Sequence, residues 1–165
     1  AVKRSENKYN GNYAALIRTI GHGVANTNVG SFLGMNGSIT GTHTIGILSY
    51  SGDFQVRPTK VKFYYRYIPE GDDVGVIELK IENEDQDQDV ILYEATNVVS
   101  KTEYQLYEIP INYMVENVVA TKLTLTLKSG SKHTNVVKAK VRGNGADEHY
   151  GSELYIDDIS LVYDK

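Results

Sequence analysis

The closing stretch GSELYIDDISLVYDK, residues 151–165, holds the residues best placed to do chemistry: adjacent carboxylates, Asp157 and Asp158, inside a run that otherwise alternates like a strand. Such a pair is open to three uses. Two carboxyl groups hydrolyse a glycosidic bond when they flank it about 5 to 10 Å apart. Carboxylate oxygens are also suitable ligands for calcium. The third use is structural, at a backbone irregularity. Adjacent side chains on a strand point to opposite faces, which argues against joint action on one bond. Leu154 and Ile156 share one parity, whereas Ile159, Leu161 and Tyr163 share the other, so the inward face changes phase across Asp157 and Asp158. A β-bulge does this by inserting one residue. Its carboxylates can then cap backbone N–H groups or, with oxygens from a neighbouring strand, hold a cation. The first expectation is therefore a kink, and the second a structural calcium with Asp157 and Asp158 as ligands.

Other acidic and histidine positions select no catalytic residue. In NEDQDQDV, residues 83–90, Asp85, Asp87 and Asp89 alternate as in a calcium loop of the EF-hand kind. Val90 stands where that loop needs Gly, however, and Thr96 where it needs Glu. The run reads as a polar turn between strands. Asp72 and Asp73 in IPEGDDVG read as a turn as well. His22, His43, His133 and His149 are scattered, without the spacing of a metal site. The pieces GHG at 21–23 and GNGAD at 143–147 lack the strand-to-helix setting of a phosphate loop and read as turns. There is no GxSxG elbow, and the absence of cysteine removes thiolate chemistry and disulfides.

Thirteen Tyr, three Phe and no Trp give the chain its aromatic character. Tyr offers a flat apolar face with a polar tip, suited to sheet surfaces and to amphipathic ligands such as sugars. Cross-strand packing accounts for most of the thirteen. In KVKFYYRYIP, Val61, Phe63, Tyr65 and Tyr67 share one face, and Lys60, Lys62, Tyr64 and Arg66 the other. Tyr64 and Arg66, on the polar face, are the expected carbohydrate-binding residues.

The elements that position these residues are strands. Leu123, Leu125 and Leu127 alternate with Thr124, Thr126 and Lys128, and further strands are expected near 13–20, 28–34, 39–48, 75–82, 90–95, 105–113 and 153–163. Residues 113–120 offer a weak helical pattern. Pro58 and Pro69 suit strand ends, and Pro110 directs its strand to a sheet edge or bulge. About nine antiparallel strands with frequent turn signals predict an all-β fold, an antiparallel sandwich or jelly roll, forming a single domain over 1–165.

The net charge of −4, with the signs interspersed and no basic cluster, excludes nucleic acid as a partner. No apolar run approaches the roughly 18 residues of a membrane span, so the domain is not expected to insert into a membrane. A chain that begins at Ala1 without Met fits a processed protein.

The stretch GDFQVRPTKVKFYYRYIPEGDD, residues 52–73, resembles the Gly-x-Phe, Arg-Pro and Phe-Tyr-Tyr-Lys-Tyr-x-Pro run of the carbohydrate metabolism domain family of Bacteroidetes surface proteins, with Arg66 in the place of the Lys. NYAALIRT, VGSFLGMNG and the closing GSELYIDDISLVYD are similar to that family's early and final segments, so the resemblance runs from residue 12 to 163. It implies a jelly-roll domain of the galactose-binding-like kind on a secreted or surface-anchored protein, an outer-membrane lipoprotein, with a further module upstream. The function expected is non-catalytic recognition of a polysaccharide or other glycan. A glycoside hydrolase and an adhesion domain for a protein partner remain the alternatives.

Overall fold

The computed structural model describes residues 1–25, 39–53, 55–84, 89–131, 136–142 and 146–163, with side chains described outside 22–44 and 132–149. Among the described residues the elements are eleven strands: β1 (Val2–Ser5), β2 (Ala14–Ala25), β3 (Ile39–Thr44), β4 (Ile47–Asp53), β5 (Lys60–Ile68), β6 (Gly75–Asn83), β7 (Val90–Val99), β8 (Gln105–Pro110), β9 (Lys122–Lys128), β10 (Val136–Arg142) and β11 (Ala146–Val162). They form two antiparallel sheets. The first has the order β1-β2-β11-β5-β8, with β3 added beside β2 and β10 beside β11; the second has the order β4-β9-β6-β7.

Strand order identifies the architecture. With β1, β3 and β10 set aside, the steps β2 to β4, β4 to β5, β5 to β6, β7 to β8, β8 to β9 and β9 to β11 each cross between sheets, and only β6 and β7 form a hairpin. This is an all-β jelly roll, in which interleaved crossings tie two sheets around one core. Val61, Phe63, Tyr65 and Tyr67 of β5 face Leu123, Leu125 and Leu127 of β9 and Ile77, Leu79 and Ile81 of β6 in that core. The alternation read from the sequence is the alternation in burial along β5 and β9.

Several expectations need correcting. The predicted strand at 39–48 is two strands, broken at Ile45 and Gly46; a Cβ on Gly46 would collide with the Arg18 backbone. GHG at 21–23 lies within β2, not in a turn, where it pairs with β3 and continues the pairing with β11. Residues 113–120 form no helix; they make an irregular crossing whose Val115, Val118 and Ala120 pack on the core. The last strand begins at Ala146 rather than near 153, and the expected strand at 28–34 lies outside the described residues. Pro110 ends β8, an edge strand of the first sheet, where its missing N–H does no harm.

Candidate functional site

The two carboxylates that open the question sit at a register break. β11 pairs with β5 through Asp157↔Tyr64 and resumes at Ser160↔Lys62, and Asp158 has φ 50°. The phase change in the sequence is thus a β-bulge with one residue in the left-handed region, where Asp is among the better tolerated residues. Asp157 is 9% exposed. Its Oδ2 accepts the backbone N–H of Tyr9 at 2.9 Å and of Asn10 at 3.0 Å, and its Oδ1 accepts the N–H of Asp158 at 2.9 Å. Asn10 Nδ2 donates to Asp158 Oδ2 at 3.3 Å.

These bonds fasten residues 6–13, the strap between β1 and β2, to the outer face of the first sheet. The Tyr9 ring stacks on Tyr64 with centroids 3.5 Å apart and planes within 10°. Tyr104 joins at 6.2 Å from Tyr9, and its hydroxyl donates to Asn7 O at 2.8 Å. Burial, reinforced by the Asp157 charge, pushes the Tyr104 phenol up to about 12. Tyr9 is also raised, chiefly by its hydrogen bond to Tyr64, yet its side chain remains at a 49% exposed position.

Beside the stack opens a groove of about 370 Å³ lined by Lys62, Tyr64, Leu106, Asp158, Ile159 and Ser160. Two charges of opposite sign, a serine hydroxyl, a tyrosine ring and two aliphatic side chains therefore line one concave surface. Lys62 makes no ion pair among the described residues.

The structure brings Tyr64 and Asp158 to the same groove and leaves the other two expected residues out of it. Arg66 shares Tyr64's face, but its Nε donates to Thr102 O at 2.9 Å and its guanidinium lies 5.7 Å from the centre of the Tyr155 ring. Asp157 is beneath the strap, acting on backbone. Calcium takes about six to eight oxygen ligands. The three N–H donors on Asp157 suit a backbone cap rather than such a cage, and among the described residues no third acidic or histidine side chain joins the pair.

Sequence reading missed Tyr9 and Tyr104, whose role depends on a strap that crosses a distant strand. It also missed Asp73. Asp73 follows the turn that the sequence suggests, but it is 3% exposed and takes hydrogen bonds from Val74 N, Ser131 N, Ser131 Oγ and Ser152 Oγ at 2.8–3.0 Å. Gly130 is required beside it, since a Cβ there would strike the carboxylate. The side chains of His22, His43, His133 and His149 lie outside those described.

No family model and no curated protein matches the sequence. Among solved structures the chain is similar to a family 16 carbohydrate-binding module (9% identity, 98% of this chain and 84% of the other, TM-score 0.47). It is also similar to TmCBM61 in complex with β-1,4-galactotriose (15% identity, 99% and 83%, TM-score 0.49). A third is the family 11 carbohydrate-binding module from Clostridium thermocellum in complex with a β-1,3-1,4-mixed-linked tetrasaccharide (9% identity, 99% and 82%, TM-score 0.45). At these values the fold assignment rests on strand order, and the function on the site's own chemistry.

Proposed function

We propose that this domain is a non-catalytic glycan-recognition module of a secreted or surface-anchored protein, and that its binding surface is the tyrosine-bearing outer face of the first sheet. The observation that carries the reading is the Tyr9–Tyr64 stack beside a groove whose rim holds Lys62 and Asp158. A sugar ring presents apolar C–H faces and a rim of hydroxyls. The half-exposed Tyr9 ring, stacked on Tyr64, suits the first, while an ammonium and a carboxylate suit the second, one donating and the other accepting. The groove also falls within the usual volume range of roughly 300–1,000 Å³ for small-ligand sites.

Purified protein passed over a broad polysaccharide and oligosaccharide array tests the reading. Selective retention that falls with Tyr64→Ala is expected; retention untouched by that change would remove this face from consideration. Arg66 supports the same face from the side, through Thr102 and Tyr155, and its replacement by Ala is expected to weaken retention less than Tyr64→Ala does. Calcium at Asp157 and Asp158 is examined by melting with added calcium and with chelator. Equal melting temperatures leave the pair as a strap anchor, and a rise of several degrees with calcium would give it a cation.

A further inference from the structure

The groove on the outer face has a neighbour on the other side of β11. Between the two sheets lies a cavity of about 490 Å³, walled by Leu48 of β4, Leu123, Leu125 and Leu127 of β9, Val61 of β5 and Leu161 of β11. Tyr50 and Ile159, 63% and 47% exposed, mark its open side. The wall is predominantly aliphatic, with Ser49, Ser160 and Tyr50 the polar-bearing residues in it, so the cavity offers mainly dispersion and desolvation.

Its position follows from the bulge. β2 begins at Ala14, and its pairing with β11 ends at Ile156↔Ala15, so residues 158–162 have β5 on one side and, among the described residues, no paired strand on the other. The two sheets are therefore not sealed along this stretch. Ile159 and Ser160 belong to both surfaces, lining the aliphatic cavity and the tyrosine groove alike. The two sites thus meet at a pair of adjacent residues.

We infer that the ligand is amphiphilic: a glycoside whose sugar rests in the Tyr64 groove and whose alkyl or acyl chain passes Ile159 into the cavity between the sheets. The inference rests on the glycan reading of the groove and adds the class of aglycone. A free fatty acid would satisfy the aliphatic wall and set its carboxylate against Lys62, but it brings no donor for Asp158 and is repelled by that charge. A plain polysaccharide would satisfy those groups and leave the cavity unused. A single-chain glycoside meets both sets of residues at once.

The test is calorimetric titration of the unmodified protein with methyl, butyl, hexyl and n-octyl glycosides of glucose, galactose and mannose, each kept below its micelle concentration, with sodium octanoate as the sugar-free control. Affinity for at least one sugar is expected to climb with chain length and to reach about tenfold or more from methyl to octyl, well short of the roughly fourfold per methylene that complete burial would give. Octanoate is expected to bind more weakly than the matching octyl glycoside. Leu48→Trp, at the partly buried edge strand, fills the cavity and is expected to abolish the chain-length gain; where that variant melts early, the chain-length series in unmodified protein decides alone. Equal affinity for methyl and octyl forms, octanoate binding as tight as the glycoside, or no binding of any octyl glycoside would each overturn the inference. The polysaccharide array separates the two ideas: array binding without a chain-length gain leaves the tyrosine groove standing and removes the cavity, whereas a chain-length gain with a silent array restricts the ligand to short glycolipids.

Discussion

The two ends of the sandwich are each organised around a buried aspartate that captures backbone N–H groups, and they come to opposite results. At one end Asp73 joins the β5–β6 turn to Ser131 after β9 and Ser152 of β11. The network extends outward: Ser152 Oγ accepts Glu70 N at 3.0 Å, Tyr67 OH donates to Ser129 O at 3.0 Å, and Ser129 Oγ bonds Thr19 Oγ1 and Gly46 N. Polar atoms there are engaged with one another, beside a surface pocket of about 440 Å³ that Ile45, Val76, Gly130 and Ser131 help to line. At the other end Asp157 holds only the strap and its own neighbour's N–H. The bulge it sits on leaves an aliphatic cavity, a tyrosine stack and an open groove. The same capping chemistry thus serves stability at one end and presents a surface at the other. What differs is whether the captured segment completes the core or lies across the outside of a sheet.

Asp73→Ala has the largest expected effect. It removes the shared acceptor of four donors, of which Ser152 Oγ is buried while those of Val74 and Ser131 are partly exposed, and an unsatisfied buried polar group costs about 1–3 kcal/mol. A loss of about 3 kcal/mol in urea unfolding is expected, with glycan retention per folded molecule unchanged. Asp157→Ala should cost less, about 2 kcal/mol, because its donors can reach water once the strap lifts, and it should also lower retention. Equal destabilisation without a change in retention would break the contrast between the ends.

Tyr64→Ala removes one ring of a stack worth about 0.5–1.5 kcal/mol, so the melting temperature should move little while affinity for a retained glycan falls about tenfold. A tyrosinate titration at 295 nm sharpens the comparison further. Burial raises Tyr104, Tyr113 and Tyr155 to about 12 and moves Tyr67, beside the Asp73 network, higher still. A phenol whose pKa is raised by folding contributes its stability below the unfolded value near 10 and loses it as pH climbs through the folded value. Stability should therefore fall between about pH 10 and 12, with Tyr67 the last of the four to ionise. The smallest effect is expected on the outer face of the second sheet. Ser49 pairs with Thr126 and Ser51 with Thr124 across exposed strands, so Ser51→Ala should change stability by less than about 0.5 kcal/mol and leave glycan retention alone.

Alternation alone determined the all-β class, the buried and exposed faces of β5 and β9, and the bulge at Asp157 and Asp158, because side-chain direction along a strand depends only on parity. Pro110 likewise placed its strand at an edge, since a missing N–H cannot serve a central ladder. Burial of Asp73, the approach of Tyr9 to Tyr64 and the separation of Arg66 from the groove were decided by tertiary structure. Each depends on segments far apart in the chain, and the same Asp in a Gly-rich turn or Tyr in a polar loop is compatible with full exposure until a neighbouring strand arrives. The shared wall of Ile159 and Ser160 belongs to that second group too: sequence shows the phase change, but only the packed sheets show that β2 begins too late to cover it.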